Sequence, residues 1–164
     1  MDTIIRPYTS TDHDGVIACV IYLQNYERLL EPEEKTKGED IAHTFLMGLL
    51  AEHEKKQGRL LVAERDGRIV GFTSGWVEHQ PDEEHLIHKS WFYVSDLVVL
   101  PEFAGQGIGK ELLGAMEQYA IELGHTRLQI NVLARNENAR AFYQKMGYRE
   151  LELTVQKILP APLS

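Results

Sequence analysis

The chain has 164 residues, of which 43% are hydrophobic, and this is enough to build one buried core. Its 25 acidic residues outnumber its 17 basic ones, so the formal net charge is −8, which argues against a nucleic-acid partner. No segment is apolar enough to predict a signal peptide or a membrane span, and the lone Cys19 has no partner for an internal disulfide. We therefore expect a single cytoplasmic domain over residues 1–164, without a membrane partner.

The hydrophobic pattern predicts alternating strands and helices along the chain. Asp66-Gly67, between two apolar runs, is a strong signal for a β-hairpin. In chain order the predicted elements are a strand at 3–7, a helix after Asp12, a helix around 41–49, strands at 59–65, 68–77 and 91–99, a helix at 108–123, a strand at 127–133, a short helix from Asn136 and a strand at 148–158. This order indicates a mixed sheet with helices on both faces.

The most informative segment is the glycine-rich turn between the strand at 91–99 and the helix that follows it. Gly105, Gly107 and Gly109 stand where the helix begins, and glycine lets a ligand approach the backbone closely. The first turn of a helix has backbone N–H groups without an internal partner and lies at the positive end of the helix dipole. The pattern therefore predicts a site for a phosphate or pyrophosphate.

Two common phosphate-binding motifs do not fit this spacing. A nucleotide P-loop would need glycine at Ala104 and serine or threonine at Glu111. A dinucleotide-binding fingerprint would need glycine at Lys110 or at Leu112, depending on where it starts. The glycines could otherwise do no more than form a tight turn.

Two segments together resemble a known family. Leu97 to Gly109 is similar to the acetyl-CoA-binding motif of the GNAT N-acetyltransferases, and Asn136 to Tyr148 is similar to the downstream motif of that family. The resemblance implies an α/β (α+β) fold with a mixed, mostly antiparallel sheet whose central strands splay apart. It also implies acetyl-CoA as the cosubstrate, and it allows a homodimer.

The resemblance also assigns residues to cosubstrate binding. One departure is plain, because Ala104 stands where the family usually has Arg or Gln, so most of the contact with the phosphates is left to backbone N–H groups. The residues implied to contact acetyl-CoA are Leu97, Val98, Val99, Ala104, Gly105, Gln106, Gly107, Ile108, Gly109, Lys110, Asn136 and Tyr143. Asn136 is in addition a good N-cap for the helix that follows it.

Acetyl transfer needs a group that protonates the departing thiolate. Tyr143 matches the position where the family carries a tyrosine for this role, and a phenol is a proton donor at neutral pH. The alternative is a core tyrosine that packs beside Phe142 and Met146.

The sequence offers several candidates for the general base, which takes a proton from the acceptor amine. Strand alternation places Asp96 on the same face as Val94 and Val98, where burial would raise the pKa of its carboxyl and make it a proton acceptor. Asp96 could instead be a structural hydrogen-bond acceptor at a strand irregularity. Glu78 is a second candidate, and a water chain without a single base is a third.

The expected acceptor is a primary amine. Acidic residues concentrate at 27–40 and 78–84, which favours a small cationic amine or a peptide N-terminus, although solvated surface charge explains them equally well. A non-catalytic acyl-CoA sensor and a transferase for a longer acyl group are the alternatives. Glu83, Glu84, His85 and His88 are interpreted as a solvated loop, so no metal is expected.

Overall fold

The computed structural model describes residues 2–160. Its strands and helices follow one another in the predicted order from the first strand to the short helix after Asn136. Two short 3₁₀ turns, Ser10–Asp12 and Pro101–Phe103, precede the first and third helices. The elements are β1 (Ile4–Pro7), α1 (His13–Leu30), α2 (Gly38–Lys55), β2 (Arg59–Arg65), β3 (Arg68–His79), β4 (Ser90–Val99), α3 (Ile108–Glu122), β5 (Leu128–Ile130) and α4 (Glu137–Lys145).

The five strands form one mixed sheet in the order β1-β2-β3-β4-β5. The first three pairings are antiparallel and the β4–β5 pairing is parallel. The predicted hairpin between β2 and β3 is confirmed, because Asp66 and Gly67 have φ of 51° and 76°, the positive values that a two-residue hairpin turn requires. The predicted fold class is therefore confirmed.

Helices cover both faces of the sheet. The helices α1 and α2 pack on one face around Val16, Leu46 and Phe72, and Cys19 is fully buried in the same layer. The helix α3 packs on the other face through Leu112 and Met116. Each helix presents an apolar stripe at helical spacing to the sheet, and this burial is the main source of its stability.

The strands β4 and β5, at one side of the described sheet, splay apart as the family resemblance implies. Parallel pairing of β4 with β5 covers only Phe92 to Val94 opposite Leu128 to Ile130. Beyond Val94, β4 continues to Val99 and pairs only with β3. The backbone edge of β4 from Ser95 onward therefore faces an opening between the strands. A ligand can reach the backbone of β4 through this opening.

Two predicted strands differ from the structure. The strand predicted at 127–133 is reduced to Leu128–Ile130, and the prediction of a last strand at 148–158 is wrong. In the latter segment Leu151, Leu153 and Val155 are 58–83% exposed. Apolar alternation alone does not make a strand, because a strand also needs a neighbouring backbone to pair with, and the splay leaves only three residues of β5 paired.

None of the helices between residues 2 and 160 is long and apolar enough to cross a membrane.

Candidate active site

The glycine-rich turn has the backbone conformation that its sequence predicts. Gly105 and Gly107 have φ of 74° and 87°, in the left-handed region that favours glycine, and Gly107 is the N-cap of α3. A Cβ built on either glycine would have no protein atom within 4 Å. Glycine is thus required here for its backbone conformation, and the space beside it is open.

The backbone of this turn offers a continuous row of donors. Among residues 2–160, the amides from Gly105 to Lys110 donate to no protein acceptor, and the first helical bond of α3 runs from Glu111 N to Gly107 O at 3.1 Å. Six successive free N–H groups at the start of a 15-residue helix form a concentrated site for negative charge. The turn can therefore hold a phosphate or pyrophosphate.

The side chains of the turn lie away from this row of amides. Ala104 contributes no polar atom of its side chain. The Gln106 side chain accepts a hydrogen bond from Arg65 Nη1 and donates one to Glu102 O at 3.3 Å. Among the described residues, this turn therefore offers its backbone N–H groups and the Lys110 ammonium, which makes no ion pair there, as donors.

The short helix α4 lies against the start of α3 and the end of β4. A Cβ at Gly109 would lie 3.6 Å from Phe142 Cζ and 3.8 Å from Val99 Cγ2, so three predicted site regions meet at this glycine. Asn136 caps α4 as predicted, because its Oδ1 accepts a hydrogen bond from Ala139 N at 3.1 Å.

Tyr143 on α4 has the properties of a proton donor. Burial raises the pKa of its phenol above the ordinary value, and the nearby charge of Asp96 raises it further. The hydroxyl makes no hydrogen bond within residues 2–160, yet it is not among the fully enclosed polar atoms. The phenol therefore stays protonated at neutral pH and leaves its hydrogen free for a ligand.

Asp96 lies on β4 just beyond the last β4–β5 pair and is 7% exposed. Its Oδ2 accepts a hydrogen bond from Ser95 Oγ at 2.6 Å. Burial raises the pKa of this carboxyl to about 6, against the lowering effect of the Ser95 bond. An ionised Asp96 is consequently a better base than an ordinary surface carboxylate.

A β-bulge corrects the predicted orientation of Asp96. The register pairs Ser74 with Asp96 and Gly75 with Val94, so Ser95 is an extra residue on β4. Val94 consequently packs on the α3 side of the sheet and Val98 on the α1–α2 side. The prediction that Asp96 shares a face with both is wrong, since the bulge leaves it on the face of Val98 alone.

One residue of the sequence, Gly75, is a signal for this bulge. Gly75 lies inside a buried strand, where glycine often marks a bulge or a close backbone approach. A Cβ at Gly75 would come within 2.6 Å of Phe92 Cε1 and 2.7 Å of Tyr93 O. Ser74, its neighbour, has its Oγ 2.9 Å from His53 Nε2 on α2, and burial lowers the pKa of that imidazole to about 4.

Glu78, the second candidate base, is engaged elsewhere. Its Oε1 accepts hydrogen bonds from Lys56 Nζ at 3.0 Å and from Trp76 Nε1 at 2.6 Å. These bonds hold the carboxylate toward the end of α2.

The acidic stretch at 27–40 is partly neutralised by basic neighbours. Glu27 on α1 pairs with Lys35 at 2.7 Å, and Glu31 pairs with Arg135 at 3.5 Å. The charge of Glu27 nevertheless contributes to the raised pKa of Asp96. The Glu27 carboxylate therefore influences the charge state of Asp96. No pattern in the sequence indicates that Glu27 pairs with Lys35.

Comparison with known proteins agrees with this geometry. Residues 20–148 match the model of the acetyltransferase (GNAT) family, and the chain belongs to that family. It is 28% identical over 156 residues to an aminoalkylphosphonate N-acetyltransferase of Salmonella typhimurium, an alignment that covers 94% of this chain and 90% of the relative.

Solved structures show the same fold. A crystal structure of a mutant BH1408 protein from Bacillus halodurans superposes with a TM-score of 0.85 at 22% identity, covering 96% of this chain and 99% of the other. The aminoglycoside N-acetyltransferase AAC(6')-Iy, solved in complex with CoA, superposes with a TM-score of 0.67 at 19% identity, covering 98% of this chain and 96% of the other.

Proposed function

We propose that this acetyltransferase moves the acetyl group of acetyl-CoA directly to a primary amine. The observation that carries the proposal is the row of free amides from Gly105 to Lys110, next to Tyr143 and Asp96 where β4 and β5 separate. In this assignment the amides bind the pyrophosphate of acetyl-CoA, and the open edge of β4 at Leu97, Val98 and Val99 aligns its pantetheine arm. Asn136 helps by fixing the start of α4.

The proposed reaction proceeds in two chemical stages. Asp96, directly or through one water, takes a proton from the acceptor ammonium, and the free amine attacks the thioester carbonyl carbon. The backbone N–H of Leu97, which the β3–β4 register leaves facing the open edge, stabilises the negative oxygen of the tetrahedral intermediate. The carbon–sulfur bond then breaks with its electron pair on sulfur, and Tyr143 gives the thiolate its proton to release CoA. The second proton lost by the nitrogen of the new amide returns through solvent to the tyrosinate.

A cationic amine or a peptide N-terminus is the proposed acceptor. The net charge of −8 attracts cations, and the charges of Glu27 and Asp96 act within one region of the cleft. The name of the Salmonella relative points to a different acceptor, in which a phosphonate accompanies the amine. Lys35 and Arg135 at the same end of α1 are the groups that such an anion would need.

Replacing Gly107 by alanine should weaken CoA binding. A left-handed backbone is strained by roughly 1–2 kcal/mol when the residue carries a Cβ, so the turn will open or shift its amides. We expect a Kd for CoA about tenfold higher by calorimetry, with kcat at saturating acetyl-CoA changed far less.

Gly114 in the middle of α3 provides the matched control for this prediction, because a Cβ there would also meet nothing within 4 Å and its φ is helical. Gly114→Ala should leave the Kd for CoA unchanged. Equal CoA affinity of Gly107→Ala and wild type would remove the turn from the proposed binding site.

The acceptor class is tested by thiol release from acetyl-CoA with a panel of amines. The panel should contain polyamines, amino sugars, peptides with free N-termini, aminoalkylphosphonates and neutral amines, with each product identified by mass. Preference for the cationic members would support the proposed acceptor, and preference for an aminoalkylphosphonate would replace it. Tight CoA binding without turnover on any amine would favour the acyl-CoA sensor instead.

A further inference from the structure

We propose that Tyr148 is a positioning residue, which aims the Tyr143 hydroxyl by tying the end of α4 to Glu117 on α3. The inference rests on the proposed function, in which Tyr143 protonates the thiolate. It concerns a residue outside the set that the sequence assigned to binding or catalysis.

The contacts of Tyr148 join the two helices that build the site. Its hydroxyl donates a hydrogen bond to Glu117 Oε1 at 2.7 Å, across 31 residues of chain. Its backbone N donates to Tyr143 O at 3.0 Å, and the two phenol rings lie with their centroids 5.7 Å apart. Tyr148 therefore contacts Tyr143 through both backbone and ring while its own hydroxyl is anchored on α3.

The Tyr148 hydroxyl stays protonated at neutral pH. Burial and the bond to Glu117 both raise the pKa of the Tyr148 phenol, so its hydroxyl remains a donor at neutral pH. A donor bonded to a charged acceptor is among the stronger hydrogen bonds of a protein. The bond holds the ring of Tyr148, and with it one side of the ring of Tyr143.

No polar contact of its own fixes the Tyr143 hydroxyl among the described residues. Its hydroxyl makes no hydrogen bond within residues 2–160, so its position depends on the packing of its ring. That ring lies between Tyr148 and Phe142, whose ring centroid is 5.3 Å away. After α4, residues 149–160 form no helix or strand and are exposed, so the half-buried Tyr148 is the last residue of the described chain that packs beside the helix.

A small displacement of Tyr143 is enough to matter. Proton transfer requires the donor within hydrogen-bond reach of the acceptor atom, and a misplacement of about 1 Å can lower a rate by up to about 100-fold. The Glu117–Tyr148 bond couples Tyr143 to the same helix whose first turn holds the phosphates. Tyr143 and the thioester sulfur are thereby placed by a common element.

A double-mutant cycle tests this coupling. Tyr148→Phe removes one oxygen and keeps the ring, so we expect kcat to fall about tenfold while the KM for acetyl-CoA changes less than about twofold. In a Tyr143→Phe background, the same substitution should lower kcat no further. Glu117→Ala should reproduce the loss, whereas Glu117→Gln, which keeps an acceptor oxygen, should restore kcat to within about threefold of wild type.

Tyr119→Phe is the matched control, since its hydroxyl donates to Gln57 O at 3.2 Å on an exposed surface of the same helix. It should leave kcat unchanged. Wild-type kcat in Tyr148→Phe and Glu117→Ala, or an equal loss with and without Tyr143, would overturn the positioning role. If Tyr143→Phe itself keeps full kcat, the proposed acid is wrong and the inference fails with it, so the single Tyr143 variant separates the two failures.

Discussion

Replacing Tyr143 by phenylalanine should lower kcat by about 100-fold, which is the scale of a lost general acid. An ordinary phenol is already protonated at neutral pH, and burial and the charge of Asp96 raise the pKa of Tyr143 further. Its hydroxyl has no protein partner among the described residues. Without this donor the thiolate must leave unprotonated or take a proton from water. Steady-state thiol release at saturating acetyl-CoA measures the effect.

Two controls make the Tyr143 result specific. The Kd for CoA should stay within about threefold of wild type, because the phosphates are assigned to the amides of the turn rather than to the phenol. Acetyl thioesters whose leaving thiol is more acidic should reduce the difference in kcat between Tyr143→Phe and wild type, since such a thiolate can leave without being protonated. An unchanged kcat in Tyr143→Phe would mean that the tyrosine is a packing residue beside Phe142 and that another group or water protonates the thiolate.

Replacing Asp96 by asparagine should remove the proposed base and lower kcat by about 100-fold at neutral pH. Burial raises the pKa of this carboxyl to about 6, and only the ionised form accepts a proton, so wild-type kcat should fall as the pH drops below about 6. The variant should lack that acidic limb. Measuring kcat of both proteins between pH 5 and 9 tests this. If kcat of Asp96→Asn still falls below about pH 6, the fall is due to the titration of another group.

The same substitution should stabilise the protein at neutral pH. The pKa of Asp96 in the folded state, about 6, is above its ordinary value of 3.8, so folding favours the protonated carboxyl. The stability that this group provides is complete below pH about 3.8 and is lost as the pH rises through 6. Asparagine is neutral throughout and avoids this loss.

The size of the effect follows from the pKa difference. Raising the pKa from 3.8 to about 6 corresponds to about 3 kcal/mol, which changes the melting temperature by roughly 6–12 °C in a protein of this size. The difference between Asp96→Asn and wild type should be present at pH 7.5 and nearly absent at pH 4. A lower melting temperature of the variant at pH 7.5 would instead indicate that the carboxylate is structural.

Much of the fold could be predicted from the sequence because its signals are local. The Asp66-Gly67 hairpin, the glycines at the start of α3 and the N-cap at Asn136 each follow from conformations that few other residues adopt. The two-motif resemblance added the splay of β4 and β5, which no local pattern shows.

The errors lie where the result depends on distant parts of the chain. The bulge at Ser95 depends on how Gly75 fits against Phe92, and it turns Asp96 away from the face of Val94. The exposed segment after Tyr148 has the alternation of a strand but no pairing partner. Register and pairing are properties of two strands together, so a pattern within one strand does not determine them.

The candidate site also has one part that the local sequence predicts and one part that depends on distant residues. The glycine-rich turn is contiguous in sequence, and its free amides follow from the glycine spacing and the start of a helix. The partners that tune Tyr143 and Asp96, namely Tyr148, Glu117, Ser95 and Glu27, come from separate elements and had no distinguishing motif. Only the three-dimensional arrangement brings them to the proposed catalytic groups.

The most direct test of the proposed reaction follows the acetyl group itself. The protein is incubated with acetyl-CoA that carries an isotope-labelled acetyl group and with the amine panel, and the products are analysed by mass spectrometry. We predict labelled acetate in amide linkage to one amine, one CoA released for each product, and no label on the protein. Recovery of all the labelled acetyl-CoA unchanged, despite measurable CoA binding, would contradict the assignment of an acetyltransferase reaction to this site.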